Sequence, residues 1–342
     1  MPQSHKITCR VPSNIAFVKY WGKRDRQIPM NPSLSMTLSK CYTEMEVSYT
    51  VHEEASEKSV ASFSFEGGKN ELFEKKIEKY LSSVTDIYPL AEKITLDIKS
   101  KNTFPHSAGI ASSASAMGAL AFVLTHIEKE TGQLNQDFDQ RASELARLAS
   151  GSACRSLFPA YASWGHNAIT DTGSNHFADP VLEVHDHFKN VCDSVLIVSR
   201  DIKTVSSSAG HALMNGHPYR EGRISQSLEH YRIISNAIKL GDWDSFGEVL
   251  ENEALSLHGL MMSSTPSYIL LTPASIELID MIRAARLEHN LKMYFTIDAG
   301  PNIHLIYPKS DEIKVKEFID SKLSPICEDI IHDEVGSGPE IV

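Results

Sequence analysis

Short alternations of apolar and polar residues dominate the first hundred positions. CYTEMEVSYTV (41–51), KSVASFSF (58–65) and ITLDIKS (94–100) repeat with a period of two, which predicts half-buried strands. Between them, NELFEKKIEKYLSSV (70–84) spaces its apolar side chains at helical intervals and keeps its charges on the other face. Further along, the period lengthens. Helices are expected over 112–130, over 135–150, around 225–239 and in SIELIDMIRAARLEHN (275–290). VCDSVLIVSRD (191–201) is short, apolar and β-branched, as a buried strand would be. LKMYFTIDAG (291–300) and IHLIYP (303–308) read as two more strands joined by a turn. Strands and helices therefore interleave without strict β–α–β alternation, and the expected class is α+β.

Length adds a division. The chain has 342 residues, against about 100–200 per domain, so two domains are expected. A charged, His-rich segment (LEVHDHFKN) gives way to a core strand near Lys189–Cys192, which sets the expected units at 1–190 and 191–342. Apolar residues at 42% and charged residues at 23% can supply a full core, so general disorder is excluded. No internal repeat or low-complexity tract points to a solenoid.

Charge and cysteine usage narrow the function. A net charge of −11 disfavours nucleic acid as a partner, because such binding rests on an excess of Lys and Arg. A local basic pocket for a small anion is still compatible with it. Cys9, Cys41, Cys154, Cys192 and Cys327 are odd in number and lack C-x-x-C pairs, which suggests neither a disulfide framework nor zinc. Within HDH (185–187), a strand would place both rings on one face, but no third ligand is evident and no metal site is assigned. MPQSHKITCR lacks the apolar run of a signal peptide, and Ile110–Leu124 is too short to span a bilayer. A soluble cytoplasmic protein with no membrane partner is the expectation.

Four segments carry candidate chemistry. FPHSAGIASSASAMGAL (104–120) runs from a loop of small residues into a helix, where backbone N–H groups and the helix dipole suit a phosphate. Tight helix packing would use the same small residues, and no G-K-[ST] makes it a Walker loop. VPSNIAFVKYWGKRDRQIPMNPSLSMTL (11–38) concentrates Lys19, Lys23 and Arg24 around Tyr20 and Trp21, either as an anion site or as a solvated basic edge. ASGSACRSLFPAYASWG (149–165) surrounds Arg155 with small residues, leaving it to grip a carboxylate or to complete an ordinary salt bridge. YFTIDAGPNIHLIY (294–307) ends an apolar strand on Asp298, which either faces a cleft or caps its own turn. KTVSSSAGHAL (203–213) is a second candidate anion loop or an N-cap.

Taken in order, NIAFVKYWGKRD, NPSLSMTL, FPHSAGIASSASAMGALA, SGSACRS, KTVSSSAGHAL and TIDAGPN resemble the diphosphomevalonate decarboxylases of the GHMP kinase superfamily. VGSGPEIV (335–342) is similar to that family's C-terminal strand. The resemblance spans nearly the whole chain. It implies a ribosomal protein S5 domain 2-like N-terminal domain and a ferredoxin-like C-terminal domain, with the active site in the cleft between them. It also implies phosphorylation of the 3-hydroxyl of mevalonate 5-diphosphate by ATP with Mg2+, then loss of phosphate and carbon dioxide to give isopentenyl diphosphate. A homodimer is implied as well.

By the same resemblance, Asp298, Lys19 and Arg155 are the catalytic residues, with Arg155 on the carboxylate that becomes carbon dioxide. Substrate contacts map to Asn14, Tyr20, Trp21, Gly22, Lys23, Ser150, Gly151, Ser152, Ala153, Cys154, Ser207 and Ser208. Nucleotide contacts map to Asn102, Ser107, Ala108, Gly109, Ile110, Ala111, Ser112 and Ser113. A carboxylate that titrates near ~3.9 is a poor base for a tertiary alcohol, so Asp298 is expected to orient the hydroxyl and accept its proton late. Lys19 is expected to keep it ionised. One departure stands out. Where the family often has a diphosphate-contacting arginine, this chain reads GGKNELFEKK, and Lys69, Lys75 and Lys76 are the available replacements. Some bacterial relatives also carry a basic residue where Ser208 stands. The competing functions are a mevalonate or phosphomevalonate kinase or decarboxylase acting on a non-diphosphorylated substrate, and a non-catalytic nucleotide-binding relative.

Overall fold

The structure, a computed structural model, describes residues 4–56, 58–105, 110–201 and 205–342. The first sheet is organised by two long antiparallel strands, β1 (Ser4–Val18) and β2 (Ser33–Val51). From Cys41 to Tyr49, β2 alternates buried and half-buried positions, the period-two pattern read from the sequence. Its other half, Ser33–Leu38, is buried throughout because a second layer covers it. Strands β3 (Val60–Phe65), β4 (Gly68–Lys69) and β5 (Ile94–Asn102) extend the sheet, and β6 (Tyr161–Trp164) pairs with the buried half of β2 and carries β7 (Ala178–Pro180) on its other edge. Among the described residues, only β3 and β5 run parallel.

Helices α1 (Glu71–Ser83), α2 (Ser112–Glu130) and α3 (Phe138–Ala149) close the first core over this sheet. The spacing-based helices at 70–84, 112–130 and 135–150 thus form within three residues of their expected ends. Asn70 and Asp137 cap α1 and α3 by accepting the N–H of Phe73 and Gln140, so their first turns are satisfied locally.

A second, four-stranded sheet starts at β8 (Val191–Ile197) and adds β9 (Tyr294–Thr296), β10 (Ile303–Pro308) and β11 (Asp329–Glu334) in the order β11–β8–β10–β9. It is preceded by the short α4 (Asp186–Lys189). His185 caps that helix by accepting the N–H of His187 at 3.2 Å, so HDH is a helix start and not a strand. The remaining helices are α5 (Ser207–Leu213), α6 (Arg220–Leu240), α7 (Trp243–Met262), α8 (Pro273–His289) and α9 (Glu312–Phe318). Helix α7 is absent from the sequence-based reading. Its apolar residues are buried on several sides, among them Trp243, Val249, Leu257 and Met261, which blurs the single stripe that marks an amphipathic helix.

The two sheets share a core. Ile15, Phe17, Leu34 and Met36 from β1 and β2 pack with Val191, Val195 and Ile197 of β8 and with Phe246 and Leu250 of α7. Asp333 of β11 reinforces the seam by accepting the N–H groups of Ser39, Lys40 and Cys41 at 2.7–2.9 Å. The chain then crosses back: β12 (Glu340–Ile341) pairs with β1, leaving the unit in which its neighbours in sequence lie. Gly336 permits that crossing, since a Cβ there would sit 2.1 Å from the carbonyl oxygen of Leu38.

Candidate active site

A cleft of about 210 Å3 opens where β1, α2, α3, α5 and the turn after β9 converge. Among the described residues, four cationic side chains line it (Lys19, Lys23, Lys76 and Arg155) against one carboxylate, Asp298. In a chain of net charge −11, that local excess is the signature of a pocket for a small polyanion.

Lys19 follows the last residue of β1 and is 2% exposed. Its ammonium donates to Oδ1 of Asp298 at 2.7 Å. Burial pushes the Lys19 ammonium down from its ordinary range, and the adjoining Asp298 carboxylate opposes that shift. Asp298 itself is 24% exposed and faces the cleft. Its turn is closed by backbone, through the Gly300 N–H to the Asp298 carbonyl at 2.7 Å, and His258 Nε2 lies 3.1 Å from the same carbonyl. The carboxylate reaches across to Lys19 instead of serving only its own turn.

Arg155 sits in a tight helical turn, Gly151–Leu157, and is 2% exposed. Its donors meet neutral acceptors: Nε reaches Ser35 Oγ at 3.0 Å, Nη1 reaches Ser33 Oγ, and Nη2 reaches Asn14 Oδ1 at 3.4 Å. Among the described residues no carboxylate pairs with it, so the ordinary salt bridge is not what holds it. Burial lowers its pKa, a direction that an arriving anion would reverse. Leaving a buried cation without a counter-charge costs several kcal/mol, a cost that a ligand facing the cleft can offset.

Tyr20 and Trp21 line the same wall with His211 between them, at ring-centroid separations of 4.3 and 4.6 Å. The Tyr20 hydroxyl is buried and has no hydrogen-bond partner among the described residues. Gly151 allows it that position, because a Cβ there would fall 2.7 Å from the hydroxyl oxygen. Gly22, at φ +92°, donates its N–H to His211 Nδ1 at 3.0 Å. Burial, with Lys23 nearby, depresses His211 to about 3, so the ring is neutral and carries its proton on Nε2. Lys23 is lowered by burial and donates to Gln27 Oε1 at 2.9 Å.

The start of α2 forms the opposite wall. Ala111 is left-handed (φ 45°), among the described residues no side chain caps the helix, and the first turn holds no acidic residue. The Ala114 N–H donates to the Ala111 carbonyl at 2.6 Å, which leaves the Ser112 and Ser113 N–H groups and the dipole for an anion. A second cavity of about 320 Å3 adjoins, lined by Phe63, Phe65, Phe73, Asn70, Asn102 and Ser112 and sharing Lys76 and Ser113 with the cleft. Lys76 donates to Ser113 Oγ at 3.2 Å and lies 5.1 Å from the Phe73 ring centroid. Of the three lysines that could replace the missing arginine, Lys76 is the one in the cleft. Lys69 instead pairs with Glu71 at 2.9 Å.

The other expected residues divide clearly. Ala111, Ser113, Ser150, Gly151, Ser152, Ser207 and Ser208 line the cleft, and Asn102 and Ser112 line the aromatic cavity. Asn14, Gly22, Ile110, Ala153 and Cys154 stand behind the walls as support. Asn14 also donates to Ser156 Oγ at 2.8 Å, and the Cys154 thiol, pushed up to about 12 by burial, is no nucleophile. Ser107, Ala108 and Gly109 lie outside the described residues, as does Lys203 of the second loop. At α5 the N-cap is Ser206, which accepts the Ala209 N–H at 3.2 Å. Sequence reasoning missed His211 and the aromatic cavity. The signals were there: His211 is four residues past Ser207 on one helix face, and Phe63 and Phe65 share one face of a strand.

A two-domain α+β fold with a phosphate-suited helix start on one side of a cationic cleft and an aspartate paired with a buried lysine on the other is that of a GHMP-kinase-type enzyme. Residues 11–176 match the diphosphomevalonate decarboxylase-like N-terminal domain, and residues 194–329 match the mevalonate 5-diphosphate decarboxylase C-terminal domain. The chain belongs to the diphosphomevalonate decarboxylase family. It is 30% identical to the diphosphomevalonate decarboxylase of Debaryomyces hansenii over 320 residues, covering 89% of this chain and 80% of that one. The Staphylococcus aureus mevalonate diphosphate decarboxylase structure is 29% identical with a TM-score of 0.84, over 99% of this chain and 98% of that one. MDDEF, solved with MVAPP, AMPPCP and magnesium, is 28% identical with the same TM-score of 0.84 and 99% coverage of both chains.

Proposed function

We propose that the protein catalyses the ATP-dependent decarboxylation of mevalonate 5-diphosphate to isopentenyl diphosphate, ADP, phosphate and carbon dioxide. The observation that carries this reading is the pairing of two buried cations on one cleft. Among the described residues, Lys19 is ion-paired with Asp298, whereas Arg155 makes no salt bridge and feels Asp298 only at a distance. The first arrangement suits work on a hydroxyl, and the second suits a substrate carboxylate.

In this reading the Asp298 carboxylate accepts the hydrogen bond of the tertiary 3-hydroxyl and aims its oxygen at the γ-phosphorus. The hydroxyl proton passes to Asp298 late, as the new O–P bond forms and the bond to ADP breaks. The C3–O bond then breaks, phosphate departs, and positive charge develops at C3 near Asp298. Electrons from the C–COO bond fill the new double bond, and carbon dioxide leaves from the site of Arg155. Lys23, the Tyr20 hydroxyl, Ser207 and Ser208 are assigned to the substrate diphosphate, with Lys76 standing in for the absent arginine.

ATP is assigned to the start of α2, with its base in the aromatic cavity beside Phe63, Phe65 and Phe73, in keeping with the AMPPCP bound by MDDEF. Among the described residues, no group of three or more His, Cys, Asp or Glu side chains could hold a metal. The magnesium ion is assigned to the nucleotide phosphates, whose charge it would neutralise when bound, on the likeness to MDDEF solved with AMPPCP and magnesium. A homodimer in the cytoplasm belongs to the same proposal, and sedimentation would read the first part. Among the described residues no helix is long and apolar enough to cross a membrane.

The test is direct. Purified protein with Mg-ATP and mevalonate 5-diphosphate should release carbon dioxide and inorganic phosphate in equal amounts. Faster release from the 5-monophosphate would reassign the substrate, and phosphorylation without carbon dioxide would make the protein a kinase.

A further inference from the structure

Behind the Lys19–Asp298 pair lies a second ion pair that the proposed reaction leaves unused. Glu253 of α7 is fully buried, and Arg223 of α6 grips it through two contacts of 2.6 Å. His230 Nδ1 lies 2.6 Å from the same carboxylate. These groups also hold a backbone. Glu253 Oε2 accepts the Lys19 N–H at 2.8 Å, while the Lys19 carbonyl accepts from Arg223 Nη2 at 3.1 Å and from Asn31 at 3.0 Å.

A bridge meant only to join α6 to α7 would need the Arg223–Glu253 contacts and nothing more. Here one carboxylate oxygen and one guanidinium nitrogen are turned outward, onto the two polar groups of a single residue. That residue lies just past the end of β1 at Val18, where the sheet ladder no longer supplies partners. Its side chain is long and rotamer-rich, so the ammonium reaches one oxygen of Asp298 reproducibly only from a fixed backbone. We infer that Glu253 and Arg223, backed by His230, form a positioning clamp through which the C-terminal domain holds Lys19, and through Lys19 the Asp298 carboxylate, in working geometry. The inference rests on the roles proposed above for Lys19 and Asp298.

The clamp is electrostatic as well as geometric. Among the described residues, the charged groups that act on the Lys19 ammonium are Asp298, Glu253 and Arg155, with Arg223 on the Lys19 carbonyl and Asp193 of β8 within electrostatic range. Asp298 and Glu253 hold the Lys19 proton on, while burial and Arg155 favour its loss. Removing the Glu253 charge must therefore let Lys19 deprotonate at lower pH.

The test follows the Lys19 side chain by NMR of 13C-lysine-labelled protein, its resonance assigned with Lys19→Met. In Glu253→Gln the Lys19 titration should move down by about half a pH unit or more. Its kcat should fall at least about tenfold, with the KM for ATP nearly unchanged. Glu253→Asp, which keeps the charge, should restore the titration and recover part of kcat. A folded Glu253→Gln protein with wild-type titration and wild-type kcat overturns the clamp. If that variant does not fold, Arg223→Lys carries the test, because it keeps the charge but loses the fork and the bond to the Lys19 carbonyl. An unchanged kcat in that variant overturns the clamp equally. A wild-type protein that releases no carbon dioxide refutes the decarboxylase reading instead, and the titration alone then decides the clamp.

Discussion

Two cations are buried to the same depth on one cleft, and the protein treats them in opposite ways. Lys19 receives a carboxylate at 2.7 Å and a clamped backbone, whereas Arg155 receives two serine hydroxyls and an amide oxygen. The first charge is settled within the protein, so it can tune and hold Asp298. The second is oriented but not neutralised, so it is left for whatever enters. Burial makes the contrast consequential, because a charge without a counter-charge costs far more inside than at the surface.

The sharpest way to break the comparison is at Asp298. Asp298→Asn keeps the size and leaves the backbone-closed turn intact while removing the charge. Turnover should fall at least about a thousandfold, or ~4 kcal/mol of barrier, with substrate binding and thermal unfolding little changed. Near-normal carbon dioxide release would reduce Asp298 to a turn residue. Arg155→Lys keeps the other charge but loses the planar fork. A drop of about a hundredfold, or ~2.7 kcal/mol, is expected in kcat/KM for decarboxylation, measured beside an unfolding curve. Wild-type kinetics in a normally folded variant would return Arg155 to the scaffold.

His211 sharpens the picture through pH. Its folded pKa, about 3, lies below the ordinary histidine value of 6.5. The stability of the neutral ring is therefore complete above the unfolded pKa and is lost as pH falls toward the folded one. At pH 5 the wild type should have given up about 2 kcal/mol that a His211→Met protein retains, read by denaturant unfolding at pH 5 and 7.5. Equal acid sensitivity in the two proteins would refute a buried neutral ring. The smallest effect belongs to the start of α2. Ser112→Ala and Ser113→Ala should each raise the KM for ATP only a few-fold, since backbone amides and the dipole remain. If neither moves it, the hydroxyls only pack and the amides alone hold the phosphates.

Sequence order carried much of this. The helix at 70–84 follows from local spacing, which is preserved when a single face is buried, whereas the helix at 112–130 and the strand at 303–308 are buried on every face and were legible from their apolar runs. Lys19, Arg155 and Asp298 were legible because small residues, turns and charge mark them in an acidic chain. Helix α7 escaped because it shows neither a single stripe nor an unbroken apolar run: it is buried on several sides, yet Glu251 and Glu253 interrupt it, and a buried glutamate has no local signature.

Periodicity, local turn chemistry and charge composition determined the α+β class, most of the elements and the segments rich in candidate chemistry. Only the tertiary structure decided which of those residues meet. Lys19 and Asp298 are far apart in the chain, and Lys76 and Lys69 are indistinguishable as letters, yet one faces the cleft and the other pairs on the surface. Whether Arg155 would find a carboxylate or only hydroxyls was likewise a matter of which strands close over it. Local pattern records which side of an element is buried. The partner across the core is set by the packing of elements distant in sequence, and the worth of a charge depends on that partner.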